Sequence, residues 1–273
     1  MTDKVQSTKT PTTPVKRQPV TVTDPLKMLV YAPSGHGKTY LAGTAVGDAR
    51  LMPMVIADFE GGTRSIRSKT IIVPLEEFAD FVPSMDKIVV IRIKHWEDFD
   101  TLYEVVHSPD NPYRTLVIDS LSELNYLILS EVVSVAVKSD RGHDPDVPER
   151  QDYLRSSTQM RKLIRFFRDL VMNTIFTAQA NEKENPQTKR MQAVPNLTGK
   201  LVYEVPGLVD IVAYLGVMED ANEDGDPITI RSLLVQPTGR FMAKARDEDG
   251  RLGDAVENPT LPKIMNLLDG GSK

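Results

Sequence analysis

The sequence predicts an α/β domain, a mostly parallel twisted sheet with helices on both faces and a C-terminal β-hairpin extension. Three observations carry this. From Leu26 onward, short apolar runs alternate with helical patterns, which is the order of parallel βαβ units. The apolar fraction, 40% of 273 residues, supplies a core of the size such a domain needs. After residue 200 the alternation stops, and two apolar runs flank an acidic turn.

Residues 1–24 are rich in Thr, Pro, Lys and Val and offer too little apolar surface to offset their ordering entropy. They are expected to form a disordered tail, in which Val20-Thr-Val22 could add as a strand to a neighbouring subunit. Residues 25–273 are read as one domain. Strands are expected at 27–32, 53–58, 88–93, 114–119 and 173–179, with helices near 38–46, 96–107, 120–138 and 150–172. Right-handed crossovers then place the helices on both faces of the sheet. Asp210–Val217 and Ile228–Val235, around the acidic stretch 219–226, read as a hairpin. A strand at 240–245 and a short helix near 260–268 follow. Residues 139–149 and 180–198 are expected to be long polar loops, and loops of that length are usually functional.

Composition narrows the chemistry. With no cysteine there are no disulfides, thiolate metal sites or cysteine nucleophiles. No apolar run approaches the ~20 residues of a membrane span, and the N-terminus lacks the apolar core of a signal peptide. The expectation is a cytoplasmic protein with no membrane partner. The net charge of −5 gives no global attraction to nucleic acid, so any such binding must come from local basic patches.

Between the first strand and the first helix lies Ala32-Pro33-Ser34-Gly35-His36-Gly37-Lys38-Thr39. Gly35 and Gly37 let the backbone turn its N–H groups inward around a phosphate, and the helix that follows adds partial positive charge. Lys38 can reach the β- and γ-phosphates, and the Thr39 hydroxyl can ligate Mg2+. This is a P-loop, with Ala32 where the pattern usually has its first glycine. Pro33 through Tyr40 are the expected ATP-binding residues.

A P-loop needs a second acid on the magnesium side, and Thr115-Leu-Val-Ile-Asp119 ends a buried strand with one. Ser120 follows it, so a catalytic base must come from elsewhere. Met54-Val-Ile-Ala-Asp58 runs into Phe-Glu60-Gly-Gly, which puts Glu60 at a strand tip where it could orient water toward the γ-phosphate. Asp58 competes for that role, and Glu123 is a weaker candidate. Gln179 ends the run Thr174-Ile-Phe-Thr-Ala-Gln179 and could sense the γ-phosphate and pass its position to the loop that follows. The imidazoles of His36, His95, His107 and His143 are scattered and are assigned no chemistry.

Together these residues resemble the core of RecA-like recombinases, in particular the short phage ATPases of the single-strand-annealing type. Lys38-Thr39 and Asp119-Ser120 match the two nucleotide motifs, and Asp58-Phe-Glu60 is similar to the Asp-x-Glu that carries the catalytic glutamate. Glu60-Gly-Gly-Thr-Arg64-Ser-Ile-Arg67 resembles a strand-exchange motif whose last arginine stacks on adenine, which implies that role for Arg67. Phe176-Thr-Ala-Gln179 resembles the Phe-x-x-Gln before the second DNA-binding loop. Lys244-Ala-Arg246 resembles the Lys-x-Arg pair that RecA-like hexameric helicases insert into a neighbour's ATP site.

Lys183, Lys189, Arg190 and Lys200 in and after the second loop are then the candidate DNA contacts. Arg161, Arg165 and Arg168, with Arg155 and Lys162 nearby, form a basic helix face. The loops lack aromatic residues for stacking, so contacts would go mainly to phosphates. The resemblance implies an ATP- and Mg2+-dependent recombination protein that binds single-stranded DNA as a homo-oligomer, ring or filament, in the host cytoplasm if phage-encoded. The alternatives are a RecA-like helicase or loader motor, and an ATP-switched scaffold that does not bind DNA.

Overall fold

The computed structural model describes residues 24–140, 142–221 and 226–271. The expected tail with Val20–Val22, and the centre of the acidic turn, lie outside them. The strands are β1 (Lys27–Ala32), β2 (Met54–Asp58), β3 (Thr70–Ile72), β4 (Ile88–Arg92), β5 (Thr115–Asp119), β6 (Asn173–Glu184), β7 (Met191–Pro195), β8 (Ile211–Ala221), β9 (Pro227–Leu234), β10 (Lys244–Ala245) and β11 (Ala255–Glu257). The helices are α1 (Lys38–Ala42), α2 (Asp98–His107), α3 (Leu121–Ser139), α4 (Arg150–Arg168), α5 (Leu201–Leu208) and α6 (Leu261–Leu268).

The sheet runs β11-β9-β8-β1-β6-β5-β2-β4-β3, with β7 added to β6 and β10 to β8. Every pairing from β8 across to β3 is parallel, and β9 and β11 close the other edge antiparallel. β1, β2 and β5 are buried along their whole length, as strands covered on both faces must be. Alternate residues divide between two cores: Leu29 and Tyr31 pack with α2 to α5, while Met28, Val30 and Ala32 pack with α1 and α6.

The largest difference from expectation lies at 180–198. Instead of a loop, β6 continues to Glu184 and pairs antiparallel with β7, from Ala180 opposite Pro195 to Glu184 opposite Met191. β6 beyond Ala180 is polar and largely exposed, and only Ala193 and Val194 of β7 join the core, so the stretch reads as a loop. Asn185 shapes the turn: its side-chain oxygen accepts the N–H groups of Gln187 (2.9 Å) and Thr188 (3.1 Å). Elsewhere, the helix expected at 38–46 shortens to α1 plus a 3-10 turn over Gly43–Ala45. The helix expected to reach 172 stops at Arg168, and the strand at 240–245 shrinks to two residues. α5, which contains Pro206, was not anticipated, since proline reads as a helix breaker. The short edge strands β3 and β11 were missed as well.

The connection between α3 and α4 is pinned by a buried pair, His143 Nε2 to Asp152 Oδ2 at 2.8 Å. That hydrogen bond raises the His143 pKa. The histidine is a structural anchor.

At the amino edge of the sheet, polar side chains do the joining. Asn173 accepts the Leu26 N–H (2.9 Å) and donates to the carbonyl of Arg50 (3.0 Å). Lys27 donates to the carbonyls of Leu170 and Met172, both at 2.7 Å, and to Thr174 Oγ1 at 3.1 Å. Burial lowers the Lys27 pKa to about 8. Between that value and about 10.5 the unfolded chain holds a proton that the folded chain has lost, so rising pH favours folding there. The expected outcome is that the melting-temperature difference between wild type and Lys27→Met shifts toward wild type from pH 7 to pH 9.5. A difference independent of pH would show that Lys27 stays charged when folded.

Candidate nucleotide-binding site

The site forms at the carboxyl edge of the sheet. β1 leads into the loop 33–37, which wraps through Gly35 (φ 82°) and Gly37 (φ 98°) before α1 begins. Positive φ at both residues is the left-handed conformation that glycine adopts without strain. Lys38 Nζ is folded back onto the loop, donating to the carbonyls of Ala32 (3.0 Å) and Pro33 (3.1 Å). Burial lowers its pKa, and the charges of Asp119 and Glu60 work against that shift. His36 Nδ1 lies 3.2 Å from the Leu215 carbonyl of β8, and Ser34 is exposed.

Asp119 ends β5 almost wholly buried. Thr39 donates to its Oδ2 at 2.7 Å, and Thr177 on β6 donates to its Oδ1. Burial pushes its carboxyl above the usual carboxylate range, the two hydroxyls pull it back, and the charges of Asp58 and Glu60 push it further up. A divalent cation fits such an environment. The Thr39 hydroxyl and the Asp119 carboxylate are hard oxygen donors, and Mg2+ typically takes one or two protein oxygens with substrate phosphates completing the shell. Among the described residues no group of three or more His, Cys, Asp or Glu could hold a metal ion. Gly62 keeps the space open: a methyl group there would stand 3.2 Å from Thr39 Oγ1 and 3.7 Å from Asp119 Oδ2.

Asp58 and Glu60 take different parts. Asp58 is buried, and its Oδ1 accepts the N–H groups of Glu60 (3.2 Å), Gly61 (2.8 Å) and Gly62 (3.3 Å), while Thr63 donates to Oδ2 at 2.8 Å. Its acceptors are committed to holding the turn. Glu60 is exposed and held at Oε1 by the Ser120 hydroxyl, on the residue after Asp119. A polar cavity of about 440 Å3 opens beside it, lined by Asp58, Glu60, Arg64, Arg92 and Lys94 among others. Glu123, one turn into α3, has its pKa raised by burial and then by the charge of Glu60.

Gln179 does not end its strand. It lies on β6 beside Ala32 in register and is part-buried. Its N–H donates to Ser122 Oγ (3.0 Å), whose hydroxyl donates to the Asn196 carbonyl (3.0 Å), so both strands of the 180–195 hairpin are tied to the first turn of α3. Lys189 and Arg190 sit exposed at the hairpin turn, Lys189 paired with Glu184 at 3.4 Å. Lys183 is half-buried and donates to the Leu197 carbonyl (3.3 Å), and Lys200 is exposed at the start of α5. The basic helix face is partly neutralised, with Arg161 on Glu204 (2.5 Å) and Arg168 on Asp169 (2.6 Å).

Arg67 is exposed in the 3-10 segment Gly62–Lys69. The cations beside the Tyr40 ring are Lys69, at 5.9 Å from its centre, and Arg231, at 5.5 Å. Lys244 and Arg246 lie at the opposite edge of the sheet, since Lys244 pairs with Val212, which pairs with Leu29 near the start of β1. Lys244 donates to the Pro206 carbonyl (2.7 Å), and Arg246 faces Asp210 at 3.4 Å. Within one chain they do not join the P-loop. Motif reading passed over Thr177 and Ser122 and gave Ser120 and Gly62 no role of their own, because their partners lie on segments distant in the sequence.

A phosphate-cradling loop after a central parallel strand, with a buried acid across the sheet touching the loop's threonine, defines a P-loop nucleoside triphosphatase. A family model described as an AAA domain (AAA_24) matches residues 24–246, and the chain belongs to that family. Membership points to nucleotide-dependent ATPase activity. No curated protein matches the chain. Among the described residues no helix is long and apolar enough to cross a membrane.

Two substitutions separate the supporting roles. Gly62→Ala should lower ATP turnover at least tenfold with little change in melting temperature, because its methyl group meets only Thr39 Oγ1 and Asp119 Oδ2. Asp58→Ala should instead destabilise the fold by about 1–3 kcal/mol in denaturant titration, since the buried Thr63 hydroxyl and three part-buried N–H groups lose their acceptor. An Asp58→Ala variant of wild-type stability would contradict its role as a latch.

Proposed function

We propose that this protein is an ATP-driven DNA recombination factor that binds single-stranded DNA through the hairpin of β6 and β7, acting as a homo-oligomer. The observation that carries this reading is the continuity of β6. One strand runs from beside the P-loop at Gln179 to Glu184, where the turn that carries the exposed Lys189 and Arg190 begins.

In this reading the P-loop backbone and Lys38 hold the β- and γ-phosphates, and Thr39 and Asp119 hold Mg2+. When bound, Mg2+ would neutralise the charge that develops on the transferred phosphoryl group. Glu60, positioned by Ser120, takes the proton from the attacking water, and Gln179 reports on the γ-phosphate. Arg67 would pack against the adenine. Lys244 and Arg246 lie too far from their own P-loop and would act in the site of a neighbouring subunit. Each hairpin offers few phosphate contacts, so useful affinity needs several lined along one strand, as an oligomer provides.

Lys38→Ala should abolish nucleotide binding or turnover. Glu60→Gln should retain nucleotide affinity and lose most turnover, since an amide accepts no proton. Full turnover in Glu60→Gln would move the base elsewhere.

With a non-hydrolysable ATP analogue present, the wild type should bind single-stranded DNA at low salt. Replacing both Lys189 and Arg190 with alanine should weaken binding and flatten the log–log salt slope by about 1.4, from ~0.7 per phosphate contact. Gln179→Ala should bind DNA without regard to nucleotide. A wild-type protein that binds no single-stranded DNA under these conditions would leave the scaffold reading in its place.

A further inference from the structure

One cation beside the P-loop is unaccounted for. Arg231 lies on β9, opposite Val217 of β8. Its main chain is fixed by Asn258, whose Oδ1 accepts the Arg231 N–H (3.3 Å) and whose N–H donates to the Arg231 carbonyl (2.6 Å). The side chain reaches over the P-loop. A methyl group on Gly37 would stand 3.2 Å from Nε, and Cζ lies 5.5 Å from the centre of the Tyr40 ring. Nε is buried with no hydrogen-bond partner. The ring face offsets some charge but accepts no conventional hydrogen bond. A buried donor of this kind calls for an acceptor.

Sheet order indicates which acceptor. Thr39 turns toward Asp119 on β5, and Glu60 follows β2, so the γ-phosphate end of a nucleotide belongs on that side of β1. β8 and β9 lie on the other side of β1. The α-phosphate and nucleoside therefore point toward β9. Gly37 and Tyr40, three residues apart, share one face of the loop–helix turn, and that face meets Arg231.

We propose that Arg231 binds the nucleotide, donating from its guanidinium to the α-phosphate while the Tyr40 ring braces it. This rests on the nucleotide-site reading above. A planar guanidinium with five donors suits phosphate oxygens, and Lys38 is left to the β- and γ-phosphates.

The test uses the full chain, with ADP and a non-hydrolysable ATP analogue titrated calorimetrically into wild type, Arg231→Met, Arg231→Lys and Lys38→Ala. Both nucleotides carry an α-phosphate, so Arg231→Met should weaken both by a similar factor, about tenfold. Arg231→Lys should recover part of the loss. The nucleotide-free melting temperature of Arg231→Met should be unchanged or higher, because a buried unpaired donor has been removed. Unchanged affinities overturn the proposal. So does a loss confined to the ATP analogue, which would mark a γ-phosphate contact, or a loss matched by a fall of several degrees in the nucleotide-free protein. If wild type binds nucleotide no better than Lys38→Ala, the site reading falls and this proposal with it. If wild type and Arg231→Met bind alike while Lys38→Ala does not, Arg231 alone is refuted.

Discussion

A carboxylate buried at the carboxyl edge of a parallel sheet constrains everything placed around it. Asp119 cannot keep a negative charge there cheaply, and with Asp58 and Glu60 nearby the local field is more negative still. Two threonine hydroxyls from two other segments, Thr39 and Thr177, supply part of the compensation and in doing so join α1, β5 and β6 at one point. In the proposed nucleotide complex a divalent ion delivered with the phosphates would supply the rest, in competition with a proton.

The two edges of the sheet divide the work between stability and chemistry. At the amino edge, Lys27 and Asn173 spend their donors and acceptors on main-chain groups and threonine hydroxyls of neighbouring segments, which leaves little for a ligand. At the carboxyl edge the committed group is Asp58, which spends its oxygens on the turn 60–63 and leaves Glu60 facing outward. Two acids two residues apart thus have opposite fates, set by which one the backbone of the turn can reach.

What could be read from the sequence follows the range of the interactions. Lys38, Thr39 and Asp119 were legible because a glycine turn and a buried apolar run are local patterns. So was the acid at the tip of β2, though nothing local showed that Asp58 would be consumed by its own turn. Thr177 and Ser122 owe their roles to the register of β6 against β5 and β1, which no single strand encodes. The β6–β7 ribbon looked like a loop because its strands are held by main-chain bonds and the Asn185 turn. Lys244 and Arg246 were legible as a pair of cations but not as residents of the far edge, which depends on how β10 pairs with β8.

The first turn of α3 is where these pieces meet. Ser120 grips Glu60, and two residues on, in the first turn of the helix it caps, Ser122 lies between the Gln179 N–H and the Asn196 carbonyl, at the base of the ribbon. Asn125 then holds the Thr198 N–H (3.1 Å) and hydroxyl (3.0 Å). In the proposed mechanism, a displacement of Glu60 by a γ-phosphate would have a short covalent and hydrogen-bonded route to both strands of the ribbon. A flexible loop after Gln179 would absorb such a displacement within a residue or two. A paired ribbon carries it to the turn, because shifting one strand against the other breaks main-chain hydrogen bonds. Coupling still requires two discrete arrangements to choose between, and the hydroxyl of Ser122, which serves one strand as acceptor and the other as donor, is the narrowest place at which such a choice could be made.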